Sequence, residues 1–329
     1  MIVVVCLNPA LDITHHVPAV SWGGVNRPSA VYARPGGKGL NVARTLHALG
    51  ADVLLMGLAG GPTGAGIEAA LDRSGVPAAL TPIAADTRRT FTVVDGAAAG
   101  GRGDAAAGGR GDVTAFNEAG PEVSEREFAE FRGQYEKALA GASAVVLSGS
   151  LPTGLPAGAY ATLIEVARAA CVPAVLDTHG EALLRGAAAG PAIVKPNLDE
   201  LESLAGRRLS AGDGPDLAAV AAAADQLRAF GAQAVVASLG ADGLLAATGD
   251  GRWQARPGAP VAGNATGAGD AVAAALAHGL VLGRPWDERL RHAAALGAAS
   301  VAAPVAGEFS HAHYASALSA VAVHRDEVS

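Results

Sequence analysis

Lysine is scarce in this chain, which has only three lysines, Lys38, Lys137 and Lys195, among 24 lysine and arginine residues. Lys38 lies in a glycine-rich turn, and Lys195 directly precedes a proline. Because the chain otherwise prefers arginine, these two positions are candidates for sites where the amine itself is needed. Lys38 and Lys195 are therefore the first candidate functional residues.

Cysteine is rarer still, and the two cysteines, Cys6 and Cys171, both lie in apolar runs. This number and placement argue against a disulfide framework or a cysteine metal site, so we expect two buried free thiols in a reducing compartment. No uninterrupted apolar run is long enough to span a bilayer. The first residues lack a basic segment and soon reach Asp12, which predicts a first strand and not a signal peptide. The expected location is the cytoplasm.

Aromatic residues make up only 4% of the chain, whereas half of it is hydrophobic and 44 residues are glycine. Small apolar side chains favour helices packed tightly on a sheet over an all-β sandwich. A length of 329 residues allows one large α/β domain or two smaller ones. The composition therefore favours an α/β protein with ample material for a core.

Positive charge is also in short supply, because the formal net charge is −7. A protein that binds nucleic acid or a membrane surface needs a basic footprint, so both kinds of partner are excluded from the leading hypotheses. An anionic small-molecule substrate would need local positive groups. Arg27, Arg88 and Arg89 are candidates for that task, although exposed arginines are more often solvated surface.

Strand-like and helix-like segments alternate along most of the chain, which is the pattern of a parallel sheet with helices on both faces. Polar residues lie at or just after the ends of several predicted strands, namely Asp12, Ser148, Asp177, Asn197 and Ser238. Ligands of open α/β sheets bind outside the carboxyl ends of the strands. These residues therefore predict a single site at that edge of the sheet.

A second, smaller sheet is predicted from an exposed hairpin at residues 13–34 and two further β-like segments at 90–94 and 113–117. Between the latter two, residues 97–112 consist of Ala-Ala-Ala-Gly-Gly-Arg-Gly-Asp twice in tandem. Such low-complexity sequence without apolar anchors predicts a mobile loop expanded by duplication. At the end of the chain, helices are predicted over 286–302 and 311–323.

The turn at residues 264–270, Asn-Ala-Thr-Gly-Ala-Gly-Asp, runs directly into an alanine-rich helical pattern. Gly267 and Gly269 let the backbone approach a ligand closely, and the free amides at a helix start suit an anion. Asp270 has two interpretations. It is either the N-cap of the helix, or a general base that takes a proton from an alcohol while the amides hold a phosphoryl group.

Two other glycine-rich segments fail the spacing of common nucleotide-binding motifs. Residues 36–39, Gly-Gly-Lys-Gly, are not a P-loop, and residues 57–61 lack the Gly-x-Gly-x-x-Gly of a dinucleotide turn. The first segment is therefore either a tight connection or a substrate clamp. Asn41, a poor helix former just inside the following helix, indicates a hydrogen-bonding role, for example to a sugar hydroxyl.

Asn197 and Glu200 are three residues apart at the start of a predicted helix. This spacing is typical of a capping box, in which each side chain bonds the other residue's backbone amide. It also suits a pair that orders water around Mg²⁺, since this ion keeps several waters and needs few protein ligands. The residues alone leave both interpretations open.

Six motifs in order resemble those of the PfkB carbohydrate kinases, which have the ribokinase fold. They are Leu7-Asn-Pro-Ala-Leu-Asp12, Pro35-Gly-Gly-Lys-Gly-Leu-Asn41, Ser148-Gly-Ser-Leu-Pro152, Lys195-Pro-Asn-Leu-Asp-Glu200, Ser238-Leu-Gly-Ala-Asp-Gly243 and Asn264-Ala-Thr-Gly-Ala-Gly-Asp270. Within the family, segments 8–12, 25–27, 36–39 and 117–121 look most like those of 1-phosphofructokinases and tagatose-6-phosphate kinases. The resemblance covers nearly the whole chain. It implies an α/β, ribokinase-like three-layer fold, with a mainly parallel central sheet, helices on both faces and a small β lid.

The resemblance also implies a role for each matched residue. The base would be Asp270, and the anion hole would be formed by the backbone amides of Gly267, Ala268, Gly269 and Asp270. The sugar would be held by Asp12, Gly37, Lys38 and Asn41. The phosphate already on the sugar would be met by Arg88, Lys38 and Arg27. Mg²⁺, through water, and the phosphates of ATP would be organised by Asn197 and Glu200. The nucleotide site would be lined by Lys195, Ser238, Gly240, Gly243 and Asn264.

The resemblance further predicts a division of the chain. Residues 1–12, 35–87 and 118–329 would form the nucleotide- and sugar-binding core, and residues 13–34 and 88–117 the lid, with the low-complexity loop at 95–112. In relatives the lid also pairs two subunits, so a homodimer is expected. Lid closure would exclude water and limit wasteful ATP hydrolysis.

The expected reaction is the ATP- and Mg²⁺-dependent phosphorylation of a hexose monophosphate, with fructose 1-phosphate and its 6-hydroxyl as the first choice. The alternatives are a tagatose-6-phosphate or fructose-6-phosphate kinase, a kinase of an unphosphorylated sugar or nucleoside, and a non-catalytic sugar-phosphate sensor. Close relatives usually read Thr-Arg-x-Asn where this chain has Thr87-Arg88-Arg89-Thr90. The presence of Thr90 leaves the sugar specificity open.

Overall fold

The computed structural model describes residues 1–96, 113–212, 214–259, 261, 263, 265–303 and 305–326. Its helices are α1 (Lys38–Ala48), α2 (Gly61–Ser74), α3 (Glu125–Leu139), α4 (Ala159–Ala169), α5 (Gly180–Ala188), α6 (Leu198–Ala205), α7 (Leu217–Ala229), α8 (Ala268–Val281), α9 (Trp286–Val301) and α10 (His311–Ala320). The predicted loop over the tandem repeat, residues 97–112, and the predicted nucleotide-site residue Asn264 lie outside the described residues.

The strands are β1 (Ile2–Cys6), β2 (Ala10–Val17), β3 (Ala30–Gly36), β4 (Val53–Ala59), β5 (Ala78–Pro82), β6 (Arg88–Asp95), β7 (Val113–Asn117), β8 (Ala144–Ser148), β9 (Ala174–Asp177), β10 (Ile193–Val194), β11 (Ser210–Ala211), β12 (Gly214–Pro215), β13 (Val235–Ser238), β14 (Leu244–Thr248), β15 (Gly251–Arg256) and β16 (Ala322–Asp326). Ten of them form one sheet in the order β16-β15-β14-β13-β10-β9-β8-β1-β4-β5. The strands from β13 to β5 are parallel, and β14, β15 and β16 add an antiparallel edge.

The side chains of β1 show how the sheet separates two hydrophobic layers. Val3 and Val5 are buried against helices α3, α4, α5 and α7 on one face. Ile2 and Val4 are buried against α1, α2, α8 and α9 on the other. A strand that is apolar at every position is what a sheet covered on both faces requires. The structure thus confirms the predicted three-layer α/β fold class.

A separate four-stranded sheet has the order β3-β2-β6-β7. β2 pairs with β3 in antiparallel fashion and with β6 in parallel fashion, so that Asp12 lies opposite both Arg34 and Thr90. This sheet begins at Ala10 and includes Gly36, so its strands take in residues that the predicted division assigns to the core. The division into core and lid stays a prediction.

The last predicted helix is wrong beyond residue 320. α10 ends at Ala320, and residues 322–326 instead form β16, which pairs along β15. β15 would otherwise leave its outer backbone groups without partners, and β-branched Val321 and Val323 are better suited to a strand than to a helix. Helices α3 and α5 are not among the predicted elements.

The prediction of two buried thiols is correct for Cys6 and wrong for Cys171. Cys6 is buried, whereas Cys171 is exposed and has a positive φ of 58°. It occupies the tight turn that follows α4, where its amide bonds the carbonyl of Arg168. Among the described residues, none of the helices combines the length and hydropathy needed to cross a membrane.

Candidate active site

Asp270 lies in the first turn of α8 and is not its N-cap, so the simple capping interpretation is wrong. The N-cap is Gly267, whose φ of 87° is left-handed and therefore suits glycine. A Cβ at Gly267 would also lie 2.8 Å from the Cβ of Ala306. This turn directs the Asp270 side chain into the protein, where it is only 6% exposed.

Asn41 holds Asp270 from the opposite side. Its side-chain amide donates a hydrogen bond of 2.9 Å from Nδ2 to Oδ2 of Asp270, and both side chains are buried. Asn41 lies in the first turn of α1, which begins after Gly37, where a positive φ of 104° suits glycine. The hydrogen bond fixes the orientation of the carboxylate.

The pKa of Asp270 is raised to about 7, mainly by burial and also by the nearby carboxylate of Asp177. The hydrogen bond from Asn41 and the ammonium groups of Lys38 and Lys195 act in the opposite direction. A carboxylate with a pKa near neutrality is suited to accept a proton, because a general base is most effective when its pKa is near the working pH. The environment of Asp270 is therefore compatible with the predicted role of a base.

Asp177 at the end of β9 is the centre of a buried charge cluster. Its Oδ1 lies 3.3 Å from Nζ of Lys38 and 3.2 Å from Nζ of Lys195. The hydroxyl of Ser148 donates to its Oδ2 over 3.4 Å. Asp177 and Ser148 are predicted as polar strand ends, without a role for either residue. Their position at the ends of β9 and β8 is the feature of the sequence that points to their place in the site.

The two rare lysines thus meet in one place. Lys195 is buried, and its Nζ is 3.5 Å from where a Cβ on Gly269 would lie. Burial lowers the pKa of Lys38, but Asp177, Glu200 and Asp270 outweigh it and leave the pKa raised above its usual value. Two positive ammonium groups therefore border the start of α8, where an anion is already favoured by the helix dipole.

The other end of the site is formed by the small sheet. The Thr90 hydroxyl donates to Oδ1 of Asp12, and Gly36 approaches so closely that an added Cβ would lie 1.7 Å from Oδ2 of Asp12. Burial raises the pKa of Asp12, against the hydrogen bond from Thr90 and the positive charge of Arg88. Thr90 therefore makes a polar contact with Asp12, the predicted sugar ligand.

Arg88 and Arg27, both predicted to bind the sugar's phosphate, have different surroundings. Arg88 reaches across to the first motif, where its Nε and Nη2 donate to the carbonyl oxygen of Asn8 at 3.4 and 3.3 Å. Arg27 is exposed in the connection between β2 and β3. Within the described ranges it makes no hydrogen bond or ion pair. The structure therefore brings Arg88, but not Arg27, to the pocket.

Asn197 and Glu200 form a complete capping box at the start of α6. The Asn197 Oδ1 accepts from the amide of Glu200 at 2.7 Å, and the Glu200 Oε2 accepts from the amide of Asn197 at 2.9 Å. The remaining Oε1 of Glu200 lies 3.6 Å from Nζ of Lys38. The box thus leaves one carboxylate oxygen facing the charge cluster.

The remaining predicted nucleotide-site residues flank this box. A parallel bridge joins Asn197 to Ser238, whose amide donates to the carbonyl of Pro196 at 2.9 Å. Gly240 and Gly243 follow in a turn with φ values of 61° and 89°, and a Cβ at Gly243 would collide with the carbonyl of Ala255. The turn therefore requires glycine at Gly243.

The chain matches the profile of the pfkB family carbohydrate kinases over residues 6–312, and it belongs to this family. It is accordingly a phosphotransferase with an alcohol group as acceptor.

Solved structures extend the comparison. Phosphofructokinase-2 from Escherichia coli, in a tetrameric inhibited form, is 30% identical with a TM-score of 0.84, over 97% of this chain and 98% of that chain. The same enzyme with fructose-6-phosphate is 29% identical over the same shares, with a TM-score of 0.82. A Thermotoga maritima protein described as a possible 1-phosphofructokinase is 24% identical over 99% of this chain and 100% of that chain, with a TM-score of 0.84. At that identity, the last comparison supports the fold alone.

Proposed function

We propose that the protein is an ATP- and Mg²⁺-dependent sugar-phosphate kinase that uses Asp270 as its base. The observation that carries this proposal is the buried carboxylate of Asp270, with a pKa of about 7, beside the start of α8. The substrate that we propose first is fructose 1-phosphate, which would be converted to fructose 1,6-bisphosphate.

In the proposed step, Asp270 takes the proton of the sugar's 6-hydroxyl. The hydroxyl oxygen forms a bond to the γ-phosphorus of ATP, and the bond from that phosphorus to the bridging oxygen breaks to release ADP. The amides of Gly267, Ala268, Gly269 and Asp270 would donate hydrogen bonds to the transferring group and stabilise its negative charge. Preorganised donors of this kind stabilise developing charge in a water-poor site. Lys195, which lies against Gly269, would add a positive charge there.

The residues at the nucleotide end fit a magnesium ion held mainly through water. Mg²⁺ is commonly bound by one or two carboxylates together with substrate phosphates. Glu200 has one oxygen outside the capping box, and its side chain is only 12% exposed. When bound, the ion would neutralise charge on the ATP phosphates. Asn197 would act by holding Glu200 in place.

The phosphate already on the sugar would be bound by Arg88, with Lys38 as a further candidate. Arg88 lies in the same small sheet as Asp12, the proposed sugar ligand. A guanidinium can hold phosphate in a bidentate manner, which suits a substrate that must be oriented as well as bound. The unphosphorylated-sugar alternative would leave this arginine without an anionic partner.

Fructose-6-phosphate kinase is the second candidate. It is supported by the relative that was solved with fructose-6-phosphate, at 29% identity over almost the full length of both chains. Steady-state assays of ADP release with fructose 1-phosphate, fructose 6-phosphate, tagatose 6-phosphate, fructose and a nucleoside separate the candidates. A kcat/KM for a sugar phosphate that exceeds that for the unphosphorylated acceptors by at least about 100-fold supports the proposal. This ratio corresponds to about 2.7 kcal/mol of discrimination between the acceptors. Preference for an unphosphorylated acceptor, or binding without turnover, contradicts it.

We further propose that two copies of the chain pair through the small sheet. Large apolar side chains are exposed on this sheet and on its β2–β3 connection, namely Trp22, Val25, Val31, Tyr32, Val113 and Phe116. Large exposed apolar side chains on one small sheet make it a candidate interaction surface. Sedimentation velocity should show a dimer or larger assembly that Phe116→Asp dissociates. Phe230→Asp, at an exposed phenylalanine after α7, is the control. A monomeric wild-type protein would contradict the pairing.

A further inference from the structure

The loop at residues 305–308 packs against two parts of the catalytic end at once. An added Cβ on Gly267 would lie 2.8 Å from Cβ of Ala306, and one on Gly307 would lie 3.0 Å from Oδ1 of Asn41. Neither contact leaves room for a methyl group. The position of this loop therefore determines how closely the anion-hole turn and Asn41 are held.

Arg34 attaches the same loop to the small sheet. From its place on β3, Nη2 donates to the carbonyl oxygen of Ala306 at 2.6 Å, and Nη1 lies 3.8 Å from Oε1 of Glu308. The Arg34 side chain is 26% exposed, whereas that of Glu308 is 57% exposed. The short bond to the carbonyl is thus the better-defined part of the contact, since exposed ion pairs contribute little.

The strand that carries Arg34 is also bound to the sugar end of the site. Arg34 lies directly opposite Asp12 in the β2–β3 pairing. A shift of the small sheet would therefore move a proposed sugar ligand and the anchor of the 305–308 loop together. The loop in turn contacts Asn41, which bonds Asp270.

We propose that Arg34 is a positioning residue that couples the small sheet to the base. By holding Ala306, it keeps the 305–308 loop against Gly267 and Asn41, so that the anion hole and Asp270 are aligned when the sugar is bound. This inference rests on the proposed kinase function. Under this proposal, the small sheet must lie close to the 305–308 loop for phosphoryl transfer as well as for sugar binding.

Arg34→Ala is expected to lower kcat by about 10-fold or more, because small misplacements of reacting groups have large effects on rate. The KM for ATP should stay nearly constant.

The pH dependence of kcat/KM separates a positioning role of Arg34 from a general loss of stability. Asn41 favours the ionised form of Asp270, so loosening it should move the acid limb of the kcat/KM profile to higher pH. The charged groups that face Asp270 are Lys38 on α1, Asp177 at the end of β9 and Lys195 just after β10. The contacts of Arg34 are with Ala306 and Glu308 and include none of these three groups.

Arg228→Ala is the matched control. Arg228 also donates to a backbone carbonyl, that of Gln233 at 3.2 Å, and lies 3.6 Å from a carboxylate oxygen of Asp225. Its side chain is 28% exposed, close to the value for Arg34. It lies at the end of α7, near the amino end of β13 and away from the site. This variant should keep the wild-type kcat and acid limb.

Two further variants keep the test decisive if Arg34→Ala folds poorly. Arg34→Lys, which retains a donor, should recover part of kcat. Gly307→Ala leaves Arg34 intact but presses on Asn41, and should reproduce the shifted acid limb. Wild-type kcat and pH profile in a folded Arg34→Ala variant would overturn the inference, as would an equal loss in Arg228→Ala. A wild-type protein that phosphorylates no sugar phosphate would instead overturn the proposed function.

Discussion

Asn41 and Asp270, which are 229 residues apart in the chain, share a buried hydrogen bond of 2.9 Å between Nδ2 and Oδ2. The bond joins the start of α1 to the start of α8, two helices that each begin at a left-handed glycine. It places the proposed sugar-binding motif and the proposed base in direct contact. Changes at Asn41 should therefore alter the ionisation of Asp270.

Removal of the Asn41 amide should make Asp270 harder to ionise. A hydrogen bond to a charged group contributes about 1.5–3 kcal/mol, which corresponds to roughly one pH unit or more. The acid limb of the kcat/KM profile of Asn41→Ala should therefore move upward by about one unit. Thr45→Ala, one turn further along α1 at a residue that is also buried, should leave the limb in place. An unchanged limb in Asn41→Ala would show that the bond does not tune the base.

Asp177→Asn should have the opposite effect on Asp270, because it removes the like charge that raises the pKa of that carboxylate. The acid limb should move to lower pH. The same change leaves Lys195 buried without its ion partner, so the free energy of unfolding should fall by about 3 kcal/mol. Urea titration together with the pH profile measures both effects. Ser148→Ala, which removes only the hydroxyl bond to Asp177, should move each quantity much less. An upward shift of the limb would contradict this assignment.

Arg88→Ala should weaken binding of the sugar phosphate and leave binding of the nucleotide unchanged. The expected result is a rise in KM for the sugar phosphate of at least about 10-fold, since a charge-assisted hydrogen bond contributes 1.5 kcal/mol or more. KM for ATP should be nearly constant. The control is Arg89→Ala, because Arg89 is paired with Glu118 at 3.1 Å and is half exposed. Equal effects of the two variants, or an effect on ATP alone, would rule out the phosphate role of Arg88.

The fold class could be predicted because its determinants are local. Alternating strand and helix patterns imply a parallel sheet, and polar strand ends imply a site at one edge. The charge cluster around Asp177 could not be predicted, because its partners Lys38 and Lys195 come from the starts and ends of different elements. Only the folded chain brings both ammonium groups within 3.3 Å of one carboxylate oxygen.

Local sequence was ambiguous where two structures suit the same residues. Asn197 and Glu200 have the spacing of a capping box and of a water-mediated metal site, and the structure has the box, with one Glu200 oxygen left over. Residues 322 and 323 fit a helical pattern, yet they form the start of β16 and pair with β15. The Ser-x-x-Glu signal of α3, at Ser124 and Glu127, is present in the sequence and forms a complete capping box.

The free energy of unfolding of Asp270→Asn, measured against pH, tests the raised pKa of Asp270 and shows whether the variant is folded. Since the pKa of Asp270 is raised to about 7 in the folded protein, the native state binds the extra proton between about pH 4 and 7. Stability contributed by this group is therefore lost as pH rises through 7. The variant, which carries no charge there, should be more stable than the wild type at pH 8, by more than about 1 kcal/mol, and the difference should shrink at pH 5. Lower stability of the variant at pH 8 would contradict the raised pKa.

The turnover of Asp270→Asn at saturating ATP and sugar phosphate tests the central claim most directly. Asparagine keeps the shape of the side chain but cannot accept the proton of the sugar hydroxyl. With a folded variant and nearly unchanged KM values, kcat should fall by about 10²–10⁴-fold, the contribution of a general base. A variant that turns over at close to the wild-type rate would contradict the assignment of Asp270 as the base.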